Sequence, residues 1–291
     1  MRNYLITGGC GFVGSNIAAR LIEKGEKVTL LDNLSRFGSS HNLEWLRGLG
    51  SLDFIQCDTA NAGALTKAVK GLRPDVVFHL AGQVAMTTSV KDPYSDFRTN
   101  VLGTMNLLEI LRLNAPETRL IYSSSNKVYG SLAGVRLTEE STRYAAPDHP
   151  LGVDERTPLD FRTPYGCSKG AADQYVLEYA RTYGLRTAVF RHSTIYGGRQ
   201  HSTFDQGWVG WFCMQALAQK KNPSSEPFTI SGDGKQVRDL LHVEDAVSCY
   251  LEAARQIDGI RGDAFNIGGG AANSCSLLEL FGMLERSCLS R

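Results

Sequence analysis

A chain of 291 residues, 42% of them apolar, is long enough to bury a sizeable core as one large domain or two small ones. Its formal charge of +1, with no basic stripe or Arg-rich tail, argues against a nucleic-acid partner. No apolar run approaches the ~18 residues of a membrane span and no signal peptide precedes the first strand, so a cytoplasmic protein without a membrane partner is expected.

The first strand, Tyr4-Leu-Ile, runs into Gly8-Gly-Cys-Gly11-Phe-Val-Gly14, and residues 15–24 read as a helix closed by Gly25. In this setting Gly8 permits a tight turn, Gly11 lets the backbone approach a pyrophosphate, and Gly14 lets helix and strand pack closely. The helix N-terminus then offers N–H donors and a positive dipole end to the phosphates. Residues 27–31 form the second strand and Asp32 stands at its end. A carboxylate there accepts hydrogen bonds from the adenosine ribose and repels a 2′-phosphate, which predicts NAD as cofactor. Arg36 is the residue that would favour NADP instead.

The alternation continues with strands over 52–56, 75–80 and 119–122 and helices over 60–70 and 96–113, the second containing Asn100. This order predicts an α/β fold, a doubly wound parallel Rossmann sheet with right-handed crossovers. Ligands of such sheets lie beyond the carboxyl ends of the strands, which makes Asp58, residues 80–83 and residues 123–127 cleft candidates. Asp58 either meets adenine or caps the following helix.

After the fifth strand comes Ser123-Ser-Ser-Asn-Lys-Val-Tyr-Gly130, a polar turn or a loop whose serine holds a substrate hydroxyl. Further on, Pro164 suits a first helical turn, and Tyr165 and Lys169, four apart, share one helical face. At ~5 Å and an effective dielectric of ~20, the ammonium would stabilise a phenolate by ~3 kcal/mol and move its pKa from ~10 toward ~8. The pair is either a catalytic base with its activator or part of an ordinary amphipathic helix.

Residues 185–190 form a sixth strand, after which the rhythm loosens. Trp208 and Trp211 lie on one helical face, Trp208 the better nucleotide contact and Trp211 the better core residue. A turn-rich break spans 220–227, Gly232-Asp-Gly234 is a tight turn before Arg238, 243–256 and 277–284 are helices, and 265–268 is a strand end. The expected division is an NAD-binding domain over 1–190 and a smaller C-terminal substrate-binding lobe over 191–291, interleaved at the boundary. Seven scattered cysteines without a C-x-x-C read as reduced thiols, and no metal-ligand spacing is present.

The glycine motif, Asp32, Ser-Ser-Ser-x-x-Val-Tyr-Gly and Tyr165-x-x-x-Lys169, in this order, resemble the extended short-chain dehydrogenase/reductases, which include nucleotide-sugar epimerases and dehydratases. The resemblance implies Ser125, Tyr165 and Lys169 as catalytic residues. Dehydratases of the family follow the catalytic hydroxyl residue with Asp-Glu, whereas this chain has Asn126 and Lys127, which argues against water elimination. Residues 82–89, 124–130, 159–161, 164–175, 196–200, 205–212 and 230–239 resemble the branch that epimerises C2 of CDP-3,6-dideoxyhexoses.

That likeness implies cofactor contacts from Gly8, Gly11, Phe12, Val13, Gly14, Asp32, Asn33, Ser35, Arg36, Asp58, Leu80, Ala81, Gln83, Asn100, Ser123, Tyr165, Lys169 and His192. It implies CDP-sugar contacts from Thr87, Asn126, Thr194, Arg199, Gln206, Trp208 and Arg238, with Arg238 forking onto phosphate, and a homo-oligomer. A UDP-sugar 4-epimerase or a non-catalytic NAD-binding Rossmann protein are the alternatives. Family members usually continue past the last helix with an arginine for the diphosphate; ending at Arg291, the lobe is expected to be incomplete.

Overall fold

The computed structural model describes residues 1–222, 224 and 229–288. Its centre is β1 (Asn3–Thr7), paired in parallel with β2 (Lys27–Asp32) on one side and β4 (Val76–His79) on the other. Beyond them lie β3 (Asp53–Gln56) at one edge, and β5 (Arg119–Ser125), β8 (Arg186–His192) and β11 (Ala264–Ile267) toward the other. The order β11-β8-β5-β4-β1-β2-β3 reverses direction between β1 and β4, the point at which open α/β sheets bind ligands. The expected doubly wound parallel sheet is therefore present.

Successive side chains of a strand face opposite layers, and β1 shows the consequence. Ile6 packs with α1 (Phe12–Glu23) and α9 (Val243–Ile260), through Ile17, Val247 and Tyr250. Leu5 packs on the other side with α3 (Ala62–Val69), α6 (Gly103–Asn114) and α7 (Thr163–Tyr183), through Leu65, Leu107 and Val176. Because the sheet is covered on both faces, its strands read as continuous apolar runs.

Three local expectations change. The helix expected over 96–113 begins earlier, as α5 (Pro93–Phe97), and passes through a π-helical turn at Arg98–Leu102 before α6. A further helix, α4 (Met86–Lys91), precedes it. The Thr104 hydroxyl donates to the Asn100 carbonyl at 2.6 Å, competing with the backbone for that acceptor where the turn widens. The serine run is not a loop either: Ser123–Ser125 extend β5, in register with Phe190–His192, and the chain then makes one 3-10 turn over Asn126–Tyr129. The buried Ser124 hydroxyl is satisfied by the Asp173 carboxylate at 2.7 Å, which lets a polar residue occupy a strand.

The smaller lobe centres on β10 (Val237–His242), flanked by β9 (Thr194–Tyr196) in parallel and β12 (Ser274–Ser276) antiparallel. Helices α8 (Trp208–Lys221) and α10 (Leu277–Cys288) close over it around Phe212, Cys275 and Leu280. A hairpin of β6 (Thr138–Glu139) and β7 (Tyr144–Ala145) adjoins it, with α2 (Ser39–Leu49) on the first layer. The chain returns to the large sheet through α9 and β11, so a division at residue 190 is crossed again after the lobe. Of the turn-rich break expected over 220–227, Lys220 and Lys221 instead close α8, and residues 223 and 225–227 lie outside the described residues.

Candidate active site

The turn after β1 is built by what glycine lacks. A Cβ on Gly8, whose φ is +67°, would lie 2.6 Å from the Ala81 nitrogen, and one on Gly14 would lie 2.3 Å from the Gly8 carbonyl oxygen. A Cβ on Gly11 would meet only the Gly8 oxygen, at 3.1 Å, and otherwise stand in the open cleft. The first and third glycines therefore serve packing, and the second leaves bare backbone facing a ligand at the start of α1.

At the end of β2 the Asp32 carboxylate accepts the Leu34 N–H at 2.8 Å and the Cys10 N–H at 3.0 Å. It thereby ties the turn to the strand, and burial pushes its pKa up. Asn33, Ser35, Arg36 and Asp58 line the same cleft, with the glycine turn, Phe12 and Val13 on one side and Leu80, Ala81, Gln83 and Ser123 on the other. Asp58 accepts the Ala60 N–H at 2.9 Å, while the cap of α3 is Asn61, accepting the Ala64 N–H at 3.0 Å.

Arg199 and Gln206, expected at the substrate, line this cleft as well. Residues 198–206 form a strap against α1 and α2. Asn16 donates to the Gly198 carbonyl at 3.0 Å, Asn42 to the Arg199 carbonyl at 3.3 Å, and Arg36 to the Thr203 hydroxyl at 3.2 Å. The Arg199 guanidinium stands 4.2 Å from the Trp45 ring centroid, a cation–π contact. Strap and α2 meet by side chains far apart in sequence, so spacing gave no sign of Asn42 or His201 as cleft residues.

The expected catalytic residues converge at the carboxyl ends of β4, β5 and β8. Thr163, at the start of α7, has φ +64°, an uncommon conformation for a β-branched residue, and Pro164 follows in the first turn. The Tyr165 N–H donates to the Ser89 hydroxyl at 3.2 Å, which anchors the turn to α4. Burial pushes the Tyr165 phenol above its ordinary value, the Ser125 hydroxyl pulls it back, and the Asp96 carboxylate raises it further. The depression expected from Lys169 is absent: the phenol is raised by desolvation, and the one group that lowers it is Ser125. Lys169 itself is lowered to about 7 by burial, against Asp173 and Asp96, which raise it. Its ammonium donates to the Ser123 carbonyl and lies 4.4 Å from the Tyr122 ring centroid.

Two expected cofactor residues look inward. The Asn100 amide is used within the protein: it accepts the Gln83 N–H at 2.9 Å and donates to the Ser168 hydroxyl at 2.9 Å and the Gln83 carbonyl at 3.1 Å. Asn100 therefore positions Gln83 rather than lining the cleft. His192 contacts the Tyr250 hydroxyl through Nε2 at 2.7 Å, while its buried Nδ1 has no partner among the described residues. Burial, then Lys169, lower its pKa to about 3, so it is neutral. Asp96, which the sequence pattern did not single out, is buried with Oδ1 accepting from Gln83 at 2.8 Å and Oδ2 without a hydrogen-bond partner among the described residues.

On the substrate side, Asn126, Thr194, Trp208 and Arg238 are half-buried and Thr87 is exposed on α4. Trp208 packs on the Phe212–Cys275–Leu280 cluster, as does Trp211. The bare Gly11 backbone and the carboxylate at Asp32 suit a dinucleotide with its phosphates at α1. No group of His, Cys, Asp or Glu among the described residues could hold a metal ion.

The family model described as the NAD dependent epimerase/dehydratase family matches residues 4–268. A "CDP-paratose 2-epimerase" of Salmonella typhi is 56% identical over 98% of this chain and 84% of its own length. Among solved structures, a UDP-glucose 4-epimerase of Thermotoga maritima with UDP-glucose superposes with a TM-score of 0.79 at 30% identity, over 98% of this chain and 82% of that one. A UDP-glucose 4-epimerase of Thermus thermophilus in complex with NAD gives 0.78 at 28% identity, over 98% and 83%.

Proposed function

The chain belongs to the NAD-dependent epimerase/dehydratase family, and within it we propose epimerisation at C2 of a CDP-3,6-dideoxyhexose, CDP-paratose to CDP-tyvelose, by transient oxidation to a keto sugar and re-reduction. The observation that carries this reading is the likeness to the Salmonella typhi 2-epimerase along nearly the whole chain. Asn126 and Lys127 after Ser125 support it, since they leave no carboxylate pair for water elimination.

On such a sugar C1 is an acetal and C3 a methylene, so the C2 proton has no neighbouring carbonyl to acidify it. Direct deprotonation at C2 is unattractive, and bound NAD supplies the alternative, acceptance and return of a hydride. Tyr165 as phenolate takes the proton of the C2 hydroxyl, and Ser125 holds that hydroxyl. Lys169, protonated below about 7, stabilises the phenolate. The Asp32 carboxylate and the Gly11 backbone would hold the dinucleotide in the cleft that Gln83 and Ser123 also line. Once the keto sugar presents its other face, Tyr165 returns the proton as the C2 hydroxyl re-forms.

Incubation with CDP-tyvelose and with UDP-galactose, followed by product analysis, separates C2 from C4 chemistry and both from a silent dinucleotide binder. Tyr165→Phe is expected to retain NAD and lose epimerisation; activity within about tenfold of wild type would remove Tyr165 from the mechanism. Run in deuterated water, the reaction should place no deuterium at C2. Substantial incorporation there would replace hydride return with proton exchange.

A cytoplasmic location, a role in O-antigen sugar synthesis and a homo-oligomer complete the proposal. Support for self-association comes from Tyr94, Phe97 and Tyr175, apolar rings exposed on α5 and α7. No helix among the described residues is long and apolar enough to cross a membrane.

A further inference from the structure

Two cations on the substrate side have no carboxylate partner among the described residues. Lys127 is half-buried in the 3-10 turn, and no carboxylate among the described residues pairs with it. Arg238 is half-buried on β10, where its Nη1 donates to the Val237 carbonyl at 2.9 Å. Burial holds both below their ordinary ranges, and Arg238 lowers Lys127 further. Like charges kept together under partial burial are costly unless something negative joins them.

The backbone of Lys127 is held between the two catalytic elements. Its N–H donates to the Ser125 Oγ at 3.2 Å, and its carbonyl accepts the Gly130 N–H at 3.2 Å. The same carbonyl would lie only 3.2 Å from a Cβ on Gly166, the residue after Tyr165. Its side chain therefore starts from the seam of β5 and α7, next to the hydroxyls of Ser125 and Tyr165.

Sugar chemistry gives that position a meaning. In a nucleoside diphosphate sugar the phosphate hangs on C1. If C2 is the carbon at Tyr165, the glycosidic oxygen is two bonds from the reacting centre. If C4 is presented instead, the phosphate lies across the ring. Only C2 chemistry brings the sugar-bearing phosphate close to Ser125, where it meets a cation.

We propose that Lys127, together with Arg238, receives the sugar-bearing phosphate beside Ser125 and thereby presents C2 rather than C4 to Tyr165. This rests on the C2-epimerase reading and names Lys127 as a specificity-determining residue. A compact ammonium on a flexible stem suits the task, since three donors can follow the phosphate as the keto sugar turns over.

The test uses the full chain with Lys127→Gln, Lys127→Thr and Lys127→Arg. Binding of CDP and of CMP is measured by calorimetry, and kcat and KM with CDP-tyvelose. Loss of the charge should weaken CDP by about 10- to 100-fold. CMP, which lacks the second phosphate, should change by less than about threefold on the same scale. KM should rise and kcat fall in the Gln and Thr variants, and Lys127→Arg should recover CDP affinity. Weakening of CDP and CMP alike, with a lowered melting temperature, would mark a merely structural residue and overturn the proposal. So would unchanged CDP affinity in whichever charge-free variant folds. If wild type leaves CDP-tyvelose untouched while CDP still depends on Lys127, the C2 reading fails and the phosphate site stands apart from it.

Discussion

Alanine at Gly14 and alanine at Gly11 should do different harm, although each adds one methyl group to the same motif. At Gly14 the added carbon would sit 2.3 Å from the Gly8 carbonyl oxygen and 2.9 Å from the Gly9 Cα. Both obstacles are backbone, held by the Gly8 N–H bond to the Leu31 carbonyl at 2.8 Å and the Gly11 N–H bond to the Gly8 carbonyl at 3.0 Å. The turn must yield by about an ångström, and overpacking of that kind costs ~1–3 kcal/mol or more. At Gly11 the single contact, 3.1 Å, is relieved by a few tenths of an ångström, and its φ of −73° suits alanine. The methyl group then projects to where the pyrophosphate approaches. Gly14→Ala is expected to lower the melting temperature without ligand. Gly11→Ala should melt like wild type but lose about 10- to 100-fold in NAD affinity, the worth of one or two charge-assisted hydrogen bonds. Thermal melts with and without NAD, with calorimetric titration, read both. Wild-type stability of Gly14→Ala, or unchanged NAD affinity of Gly11→Ala, would refute this division of labour.

Asp32→Ala should weaken NAD and relax discrimination against NADP; an unchanged preference in a binding titration would show that the carboxylate does not read the ribose. Arg191→Met strands Asp173, which is 0% exposed and otherwise doubly bonded to Arg191 at 2.9 Å, so a loss of ~3–5 kcal/mol is expected in denaturant unfolding, and a loss below ~1 kcal/mol would contradict it. His79 and His192, both lowered to about 3 by burial and then by Lys169, stay neutral in the fold but bind protons in the unfolded chain below 6.5. Between those values the unfolded state holds more protons, so stability should drop as the pH is lowered, by ~1.4 kcal/mol per unit for each histidine, and a flat urea-midpoint profile over that range would refute it.

The local signals proved the easiest to read. A strand, a glycine turn and a helix are adjacent in the chain, as are the two sides of Tyr165-x-x-x-Lys169, and each appears where expected. Ser124 was harder, because a serine run reads as a turn until a carboxylate 49 residues away satisfies its hydroxyl. Asn100 sits in a helical pattern, yet its amide is consumed by Gln83 and Ser168, partners that no periodicity reveals. Asp96 lacked any motif, and Lys127 was legible only as the residue that stands in place of a carboxylate; burial and, among the described residues, the absence of an ion-pair partner, both tertiary properties, make them stand out. The base strength of Tyr165 was misjudged for the same reason. Coulomb attraction from a neighbour at i+4 can be worked out on paper, whereas desolvation depends on what packs overhead.

The strap over 198–206 ties two regions that could have been separate. It leaves the lobe directly after β9, crosses to α2 beside the dinucleotide cleft, and re-enters the lobe at Gly207, the cap of α8. Asn42, at the Arg199 carbonyl, and Arg36, at Thr203, fasten this wall to the first layer, while its far end continues into the helix bearing Trp208. One length of chain therefore lines the dinucleotide cleft at Arg199 and Gln206 and leads directly into the helix that carries Trp208, so a substitution in the strap bears on both.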